Sequence, residues 1–186
     1  MNRRDFLSLL AAASASYPLS ALAHLKQQSL DIKSLAEPWK TIAAVQEHLF
    51  PAEKDSPGAI DIHAIVYLQN MLGRPNADAE ETQFIKDGQG WLNGMAIKLH
   101  QKDFLNLNKQ QKENVLRKIE TSQAGYRWLN KQLEYILEAL LSDPVYGGNY
   151  NAAGWKWLQH QPGFPAPTGK NLFYKLGYQV HRNTKA

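Results

Sequence analysis

The sequence predicts an all-α protein, and three observations lead to this prediction. Apolar residues recur at spacings of three and four in several separate segments, which places them on one face of a helix. No segment shows the alternation of apolar and polar residues that predicts a strand. Pro, Gly and Asp stand where the apolar patterns stop, as they do at helix ends. We expect an irregular helical domain of four to five helices, followed by a long loop segment rich in Gly, Pro and aromatic residues.

The first two helices are predicted on either side of a short loop. The first pattern stops at Phe50-Pro51, and its face consists of Trp39, Ile42, Val45, Gln46 and Leu49. Pro, Gly and Asp mark the next stretch, PAEKDSPGA, as a loop. The second pattern ends at Gly73-Arg74-Pro75, and its face consists of Ile62, Ile65, Val66, Gln69 and Leu72.

The strongest periodicity predicts a third helix. Its face consists of Phe84, Gly88, Trp91, Leu92, Met95 and Leu99. The glycines of Gly88-Gln89-Gly90 do not form a dinucleotide-binding loop, because such a loop lies between a strand and a helix. We interpret them as small residues that let two helices pack closely. We assign the tryptophans of the helical segments to the core: Trp39, Trp91 and Trp128.

Two further helices are predicted after the third. Asn108 and Gln111 are spaced as in a capping box, in which each side chain accepts a hydrogen bond from the other residue's backbone. The apolar face that follows them consists of Val115, Leu116 and Ile119. The last stripe is closed by Ser142-Asp143-Pro144 and consists of Leu129, Leu133, Ile136, Leu137 and Leu140.

The chain changes character after this last stripe. The stretch VYGGNYNAAGWKWLQHQPGFPAPTGKN holds five Gly and three Pro and has no periodicity of its own. Its aromatic residues either anchor a protein interface, where Trp and Tyr are enriched, or fold back onto the domain. We favour the interface, with Tyr146, Trp155, Trp157 and Phe164 as its anchors. A shorter apolar set is compatible with a terminal helix: Leu172, Phe173, Leu176 and Tyr178.

The N-terminus predicts an export signal of the twin-arginine kind. It begins NRRDFLSLLAAASASYPLSALAHL, with Arg3 and Arg4 followed by Phe6, Leu7 and an apolar run. We expect residues 1–23 to be the signal and residues 24–186 to form one helical domain. Twin-arginine signals direct proteins that are already folded, usually because a cofactor is inserted before export. The expected location is therefore the periplasm.

Composition excludes several classes of function. The 186 residues contain no cysteine, which excludes disulfides, thiolate-bound iron–sulfur clusters and covalently attached c-type haem. The net charge is only +4 and the lysines are scattered, so nucleic-acid binding is not predicted.

Four titratable residues are the best candidates for a metal site. Glu47 and His48 precede the PAEKDSPGA loop, and Asp61 and His63 follow it, so the four could converge across the loop. No two histidines lie four apart on one helix, however, so the common metal-binding face is missing. Isolated histidines near helix ends are usually solvated or locally bonded. We therefore predict no catalytic, cofactor-binding or metal-binding residue in this chain.

Two stretches resemble a known family. LFPAEKDSPGA after a helix, followed far downstream by DPVYGGNYNAAGWKWLQHQPGFP, is similar to the small subunit, subunit 3 or gamma, of gluconate 2-dehydrogenase and related membrane-associated sugar dehydrogenases. The Asp-Pro-x-Tyr-Gly-Gly-Asn run with its following Gly-Trp and Pro-Gly is the specific part. The resemblance covers about Lys40 to Phe164, and the twin-arginine signal fits the same family.

This resemblance implies a non-catalytic escort. In such complexes FAD is carried by a large catalytic subunit, electrons leave through a membrane-bound cytochrome subunit with haem c, and the small subunit takes the large one through the twin-arginine translocase. The complex would lie at the inner membrane. We expect the large subunit to bind Tyr146, Gly147, Gly148, Asn149, Trp155, Trp157 and Phe164. The alternatives are a purely structural subunit and a stand-alone periplasmic metal-dependent enzyme that uses the Glu47, His48, Asp61 and His63 neighbourhood.

Overall fold

The computed structural model describes residues 30–163 and 166–175, and this part of the chain is all-α as predicted, with no strand. The predicted signal at residues 1–23 lies outside the described residues, as do Phe164, Leu176 and Tyr178. The described part contains six helices: α1 (Trp39–Leu49), α2 (Ala64–Leu72), α3 (Ala79–His100), α4 (Lys109–Glu120), α5 (Gln123–Leu141) and α6 (Ala153–Trp157). None of these helices is both long enough and apolar enough to cross a membrane.

Side-chain caps fix the starts of the three longest helices. Asp78 accepts backbone hydrogen bonds from Glu80 and Glu81 at the start of α3, at 2.8 and 3.1 Å. Asn108 and Gln111 form the predicted capping box of α4, with reciprocal bonds of 2.9 and 3.1 Å. Ser122 Oγ accepts the backbone N–H of Gly125 at the start of α5. These bonds satisfy amide groups that a helix end otherwise leaves unpaired.

Helix α5 lies at the centre and packs against each of the other five helices. Its Trp128 is fully buried, as predicted, and the indole Nε1 donates to the backbone oxygen of Ile85 in α3, at 2.9 Å. Gly88 faces this indole, so α3 and α5 approach closely where the glycine has no side chain. The interpretation as a packing residue is confirmed for Gly88 and wrong for Gly90, which is exposed and has nothing within 4 Å of an added Cβ.

Four residues assigned to apolar core faces are exposed instead. On α3 these are Trp91 and Leu99, and on α5 they are Leu133 and Leu137. The assignment was wrong because the apolar arc of each helix is wider than the arc that neighbouring helices cover. On α5 the covered arc contains Gln132 and Tyr135, which are both buried, while the two leucines lie beyond its edge. Trp39 is partly buried against the core.

The segment after α5 holds more regular structure than a long loop. It contains 3-10 turns at Pro144–Tyr146 and Tyr150–Ala152 and then α6, which brings the helices of the described part to one more than the predicted maximum. The residues Asn149, Asn151 and Ala152 have left-handed backbone conformations, so no long helical periodicity can run through them. A short 3-10 turn, Phe173–Lys175, stands where a terminal helix was considered.

Gly88 and Gly90 provide a test of this packing. We expect Gly88→Ala to lower the free energy of unfolding by about 2 kcal/mol, because its Cβ would collide with the Trp128 indole. Gly90→Ala, two residues away on the same helix, should raise it by about 1 kcal/mol, since nothing lies within 4 Å of the added Cβ and alanine favours helix. Urea denaturation of both variants measures the difference. Equal stability of the two would contradict the close approach at Gly88.

Candidate partner-binding surface

The first turn after α5 is tied to α2 and to the C-terminal segment. Asp143 accepts the backbone N–H of Val145 at 2.9 Å and starts the turn. The carbonyl of Tyr146 accepts a hydrogen bond from Asn70 Nδ2 at 3.0 Å, and its hydroxyl accepts the N–H of Phe173 at 3.2 Å. Gly147 has a φ of +94°, which a side chain would strain. Tyr146 therefore holds three parts of the chain together.

Asn149 holds the segment after α5 in place through two side-chain hydrogen bonds. It is fully buried, and its side-chain Nδ2 donates to the carbonyl of Ser142 at 2.9 Å while its Oδ1 accepts the N–H of Gly154 at 2.8 Å. The first bond reaches back to the end of α5 and the second reaches forward into α6. Gly148 and Gly154 lie directly against the backbone of α5, at Ala139 and Leu140. No larger residue fits at either glycine without a shift of the chain.

Trp155 completes the attachment of α6. Its Nε1 donates to the carbonyl of Leu141 at 2.8 Å, which satisfies one of the carbonyl groups that the end of α5 leaves unpaired. Its ring also lies beside that of His160, with centroids 5.7 Å apart. Because of these contacts α6 sits in a fixed position at the C-terminal end of α5.

Trp157, the last residue of α6, and Leu158, which follows it, face solvent, with 41% and 45% of their surface exposed. The ring of Trp157 packs edge-on against Phe50 at the end of α1, with centroids 6.5 Å apart. Among the predicted interface residues, Gly148 and Asn149 are buried, whereas Trp157 presents a large apolar surface. Whether these residues contact a partner stays a prediction.

A row of exposed leucines leads along α5 to this helix. Leu133, Leu137 and Leu141 follow one another at spacings of four and are 39%, 53% and 56% exposed. The row ends at Leu141, whose backbone holds Trp155. We call these three leucines, together with Trp157 and Leu158, the apolar surface. The periodicity of α5 predicted Leu133 and Leu137 as core residues, and the width of the apolar arc on this helix is the signal that could have indicated their exposure.

The four candidate metal ligands make separate contacts in the structure. His48 Nε2 lies 2.8 Å from the carboxylate of Glu113 on α4, which also accepts from Arg117. The hydrogen bonds from His48 and Arg117 hold the pKa of Glu113 below its usual value. His48 is therefore paired with Glu113 on α4 instead of with Glu47, Asp61 or His63.

The other three lie around the PAEKDSPGA loop. Glu47 accepts the N–H of Ile60, and burial, with Asp61 nearby, raises the pKa of its carboxyl. His63 stacks on Tyr150, with ring centroids 4.0 Å apart, and burial lowers its pKa although Asp61 opposes this. Within residues 30–163 and 166–175, no group of three or more His, Cys, Asp or Glu side chains is placed to hold a metal ion.

A charged cleft lies between α3 and α5 on another side of the chain. Lys131 lines its cavity of about 610 Å³, and the Nζ of this residue lies 3.0 Å from Glu81 and 2.9 Å from Glu134. Arg127 lies over the ring of Phe84 in the same cleft. The lysine is thus matched by carboxylates, and the cleft is an ion-paired surface.

Comparison with known proteins gives one finding. A family model described as gluconate 2-dehydrogenase subunit 3 matches residues 36–163. No curated protein and no solved structure matches the chain. The matched range includes the two stretches that carried the resemblance, except for the last two residues of the second, and all of α1 to α6.

Proposed function

Because the chain belongs to the gluconate 2-dehydrogenase subunit 3 family, we propose that it is the non-catalytic small subunit of a flavin-dependent sugar or sugar-acid dehydrogenase, which binds the large subunit and escorts it through twin-arginine export. Family membership implies association with other subunits of a gluconate dehydrogenase complex. The binding of a large subunit that carries FAD, and the escort itself, are the parts that we add.

The apolar surface is the observation that carries this proposal. Contiguous apolar patches larger than about a few hundred Å² are rare on monomeric proteins, and such large patches mark sites where partners bind. Here five large side chains, three from α5, Trp157 at the end of α6 and Leu158 directly after it, are each between 39% and 56% exposed. Trp is among the residues that contribute most to binding free energy at interfaces. A partner subunit that covers this surface would remove all five side chains from water.

The contacts of the Tyr-Gly-Gly-Asn run support different roles for two sets of residues, one that positions α6 and one that contacts the partner. Asn149 and Tyr146 make bonds inside the chain, and these bonds position α6 at the end of α5. Trp157 and Leu158 are then exposed near the C-terminal end of α5, where the leucine row ends, and are available to the partner. In this proposal the run is required for binding because it holds α6 in place, and the exposed residues supply the contact.

The sequence supports the escort role. The proposed signal with Arg3 and Arg4 directs folded proteins to the twin-arginine translocase, and a large subunit that has bound its flavin before export would need such a route. We propose that FAD resides in the large subunit and that haem c resides in the cytochrome subunit where the complex has one. The assembled complex would face the periplasm at the inner membrane.

Replacement of Arg3 and Arg4 by lysine tests the escort role. We expect the large subunit to remain in the cytoplasm with its flavin, still bound to this chain, because the apolar surface is unchanged. Fractionation of cells that express both subunits, with flavin absorbance and immunoblotting of each fraction, measures this. Arg117→Lys, the same exchange on α4, is the control. A large subunit that still reaches the periplasm would contradict the escort role and favour a purely structural subunit.

A further inference from the structure

A second apolar feature lies between α3 and the junction of α4 and α5. It is a cleft of about 380 Å³, and its walls are formed by Trp91 and Met95 from α3, Ile119 from α4 and Trp128 from α5. We call it the indole cleft. It lies at the N-terminal end of α5, whereas the apolar surface ends at the C-terminal end of that helix. The two features are therefore separate.

The walls of the indole cleft are held in place by contacts inside the chain. The Trp128 indole is fixed by its hydrogen bond to Ile85, and Trp91 packs edge-on against Phe84 with ring centroids 5.5 Å apart. Gly125 lies against the carbonyl of Ile119, which brings the start of α5 close to the end of α4. The cleft is thus formed before anything binds, which lowers the conformational cost of binding.

The side-chain hydroxyls at the cleft already have partners. Thr121 Oγ1 donates to the carbonyl of Lys118 at 2.7 Å, and Ser122 Oγ donates to the carbonyl of Ile119 at 2.9 Å. Among the described residues, Lys118 is the only charged one that lines the cleft, and it makes no ion pair with any of the others. The cleft therefore suits an apolar group that needs no hydrogen bond and lies beside one negative charge.

We propose that the indole cleft receives one large apolar side chain of the large subunit, next to a carboxylate that pairs with Lys118. This inference rests on the proposed function only in that a partner subunit binds. Concave, mostly apolar sites with few polar groups are typical of binding pockets, and 380 Å³ leaves room for one large apolar side chain. Trp91, 44% exposed at the rim, would be covered on binding.

Two variants test the inference. Ala124→Trp fills the mouth of the cleft, and Lys118→Glu reverses its charge. Their controls are Gln123→Trp, which adds the same side chain at the neighbouring position outside the lining, and Lys109→Glu, which reverses a charge at the other end of α4. Calorimetry with the purified large subunit measures the dissociation constants. We expect at least a ten-fold increase for Ala124→Trp over its control and several-fold for Lys118→Glu.

The outcomes separate this inference from the proposed function. If Ala124→Trp binds as tightly as Gln123→Trp, the cleft is not a contact, although the apolar surface can still be one. If Lys118→Glu binds as tightly as Lys109→Glu, no carboxylate pairs with Lys118 and the inference fails. Thermal melting establishes whether the variants fold. If Ala124→Trp does not fold, Lys118→Glu remains as the test, because Lys118 is exposed and its replacement does not disturb the core.

Discussion

Replacing Leu133 and Leu137 together by aspartate should strongly weaken binding of the large subunit and leave the chain folded, if the apolar surface is the interface. The two side chains are exposed, so charge at these positions costs little in the isolated chain. In a complex both carboxylates would be buried without partners, which is strongly unfavourable. A true interface anchor contributes about 2 kcal/mol or more, so the double variant should weaken binding by roughly a thousand-fold.

The chain offers a close control for this experiment. Leu99 and Ile97 on α3 are 38% and 52% exposed, against 39% and 53% for Leu133 and Leu137. Aspartate at these two positions introduces the same charge at the same exposure on a different surface. Titration of the purified large subunit against both double variants measures the difference in dissociation constant. Equal binding of the two double variants would show that the leucine row is not part of the interface.

Features that depend on local sequence could be predicted. The end of α1 at Leu49, the end of α2 before Gly73 and the capping box at Asn108 all follow from residues within one or two helical turns. Periodicity also predicted an all-α fold, because the spacing of apolar residues is a property of one segment at a time. The burial of Trp128 and the packing of Gly88 were predicted on the same basis.

Features that depend on distant contacts could not be predicted. Tyr146 and Asn149 were predicted as interface residues because they stand in a segment without periodicity, yet their side chains bond to residues of the same chain. The Tyr146 hydroxyl accepts from Phe173, and its backbone carbonyl accepts from Asn70, 76 positions away, and no local pattern indicates these contacts. In the same way His48 pairs with Glu113 on α4. Direct contact of Tyr146 and Asn149 with a partner stays a prediction.

Exposure is the other quantity that periodicity does not give. A helix face that packs inside the chain and one that packs on a partner have the same spacing and the same residue types. Leu140 is buried and Leu141 is 56% exposed, although they are neighbours in sequence and are the same residue. The sequence of one chain therefore predicts which residues form the apolar faces of helices, but not which of those faces pack inside the same chain.

Asn149→Ala should lower the free energy of unfolding by about 3 kcal/mol. The change removes two buried hydrogen bonds and leaves the carbonyl of Ser142 and the N–H of Gly154 without partners, each of which costs about 1–3 kcal/mol. Urea denaturation measures the effect. Asn151→Ala is the control, because Asn151 is exposed, has a similar left-handed backbone and makes no side-chain hydrogen bond to the described residues. Equal losses in the two variants would mean that backbone conformation, and not the buried bonds, makes Asn149 important.

The same variant connects stability with binding. Asn149 is fully buried, so it does not contribute contact area to a partner in this conformation. If it holds α6 against α5, its loss frees Trp157 and Leu158 from their fixed positions, and ordering them again costs binding free energy. We therefore expect Asn149→Ala to weaken binding of the large subunit about ten-fold at temperatures where the variant is still folded. Unchanged affinity would mean that α6 is not part of the interface, and the contact would then lie on the leucine row of α5 alone.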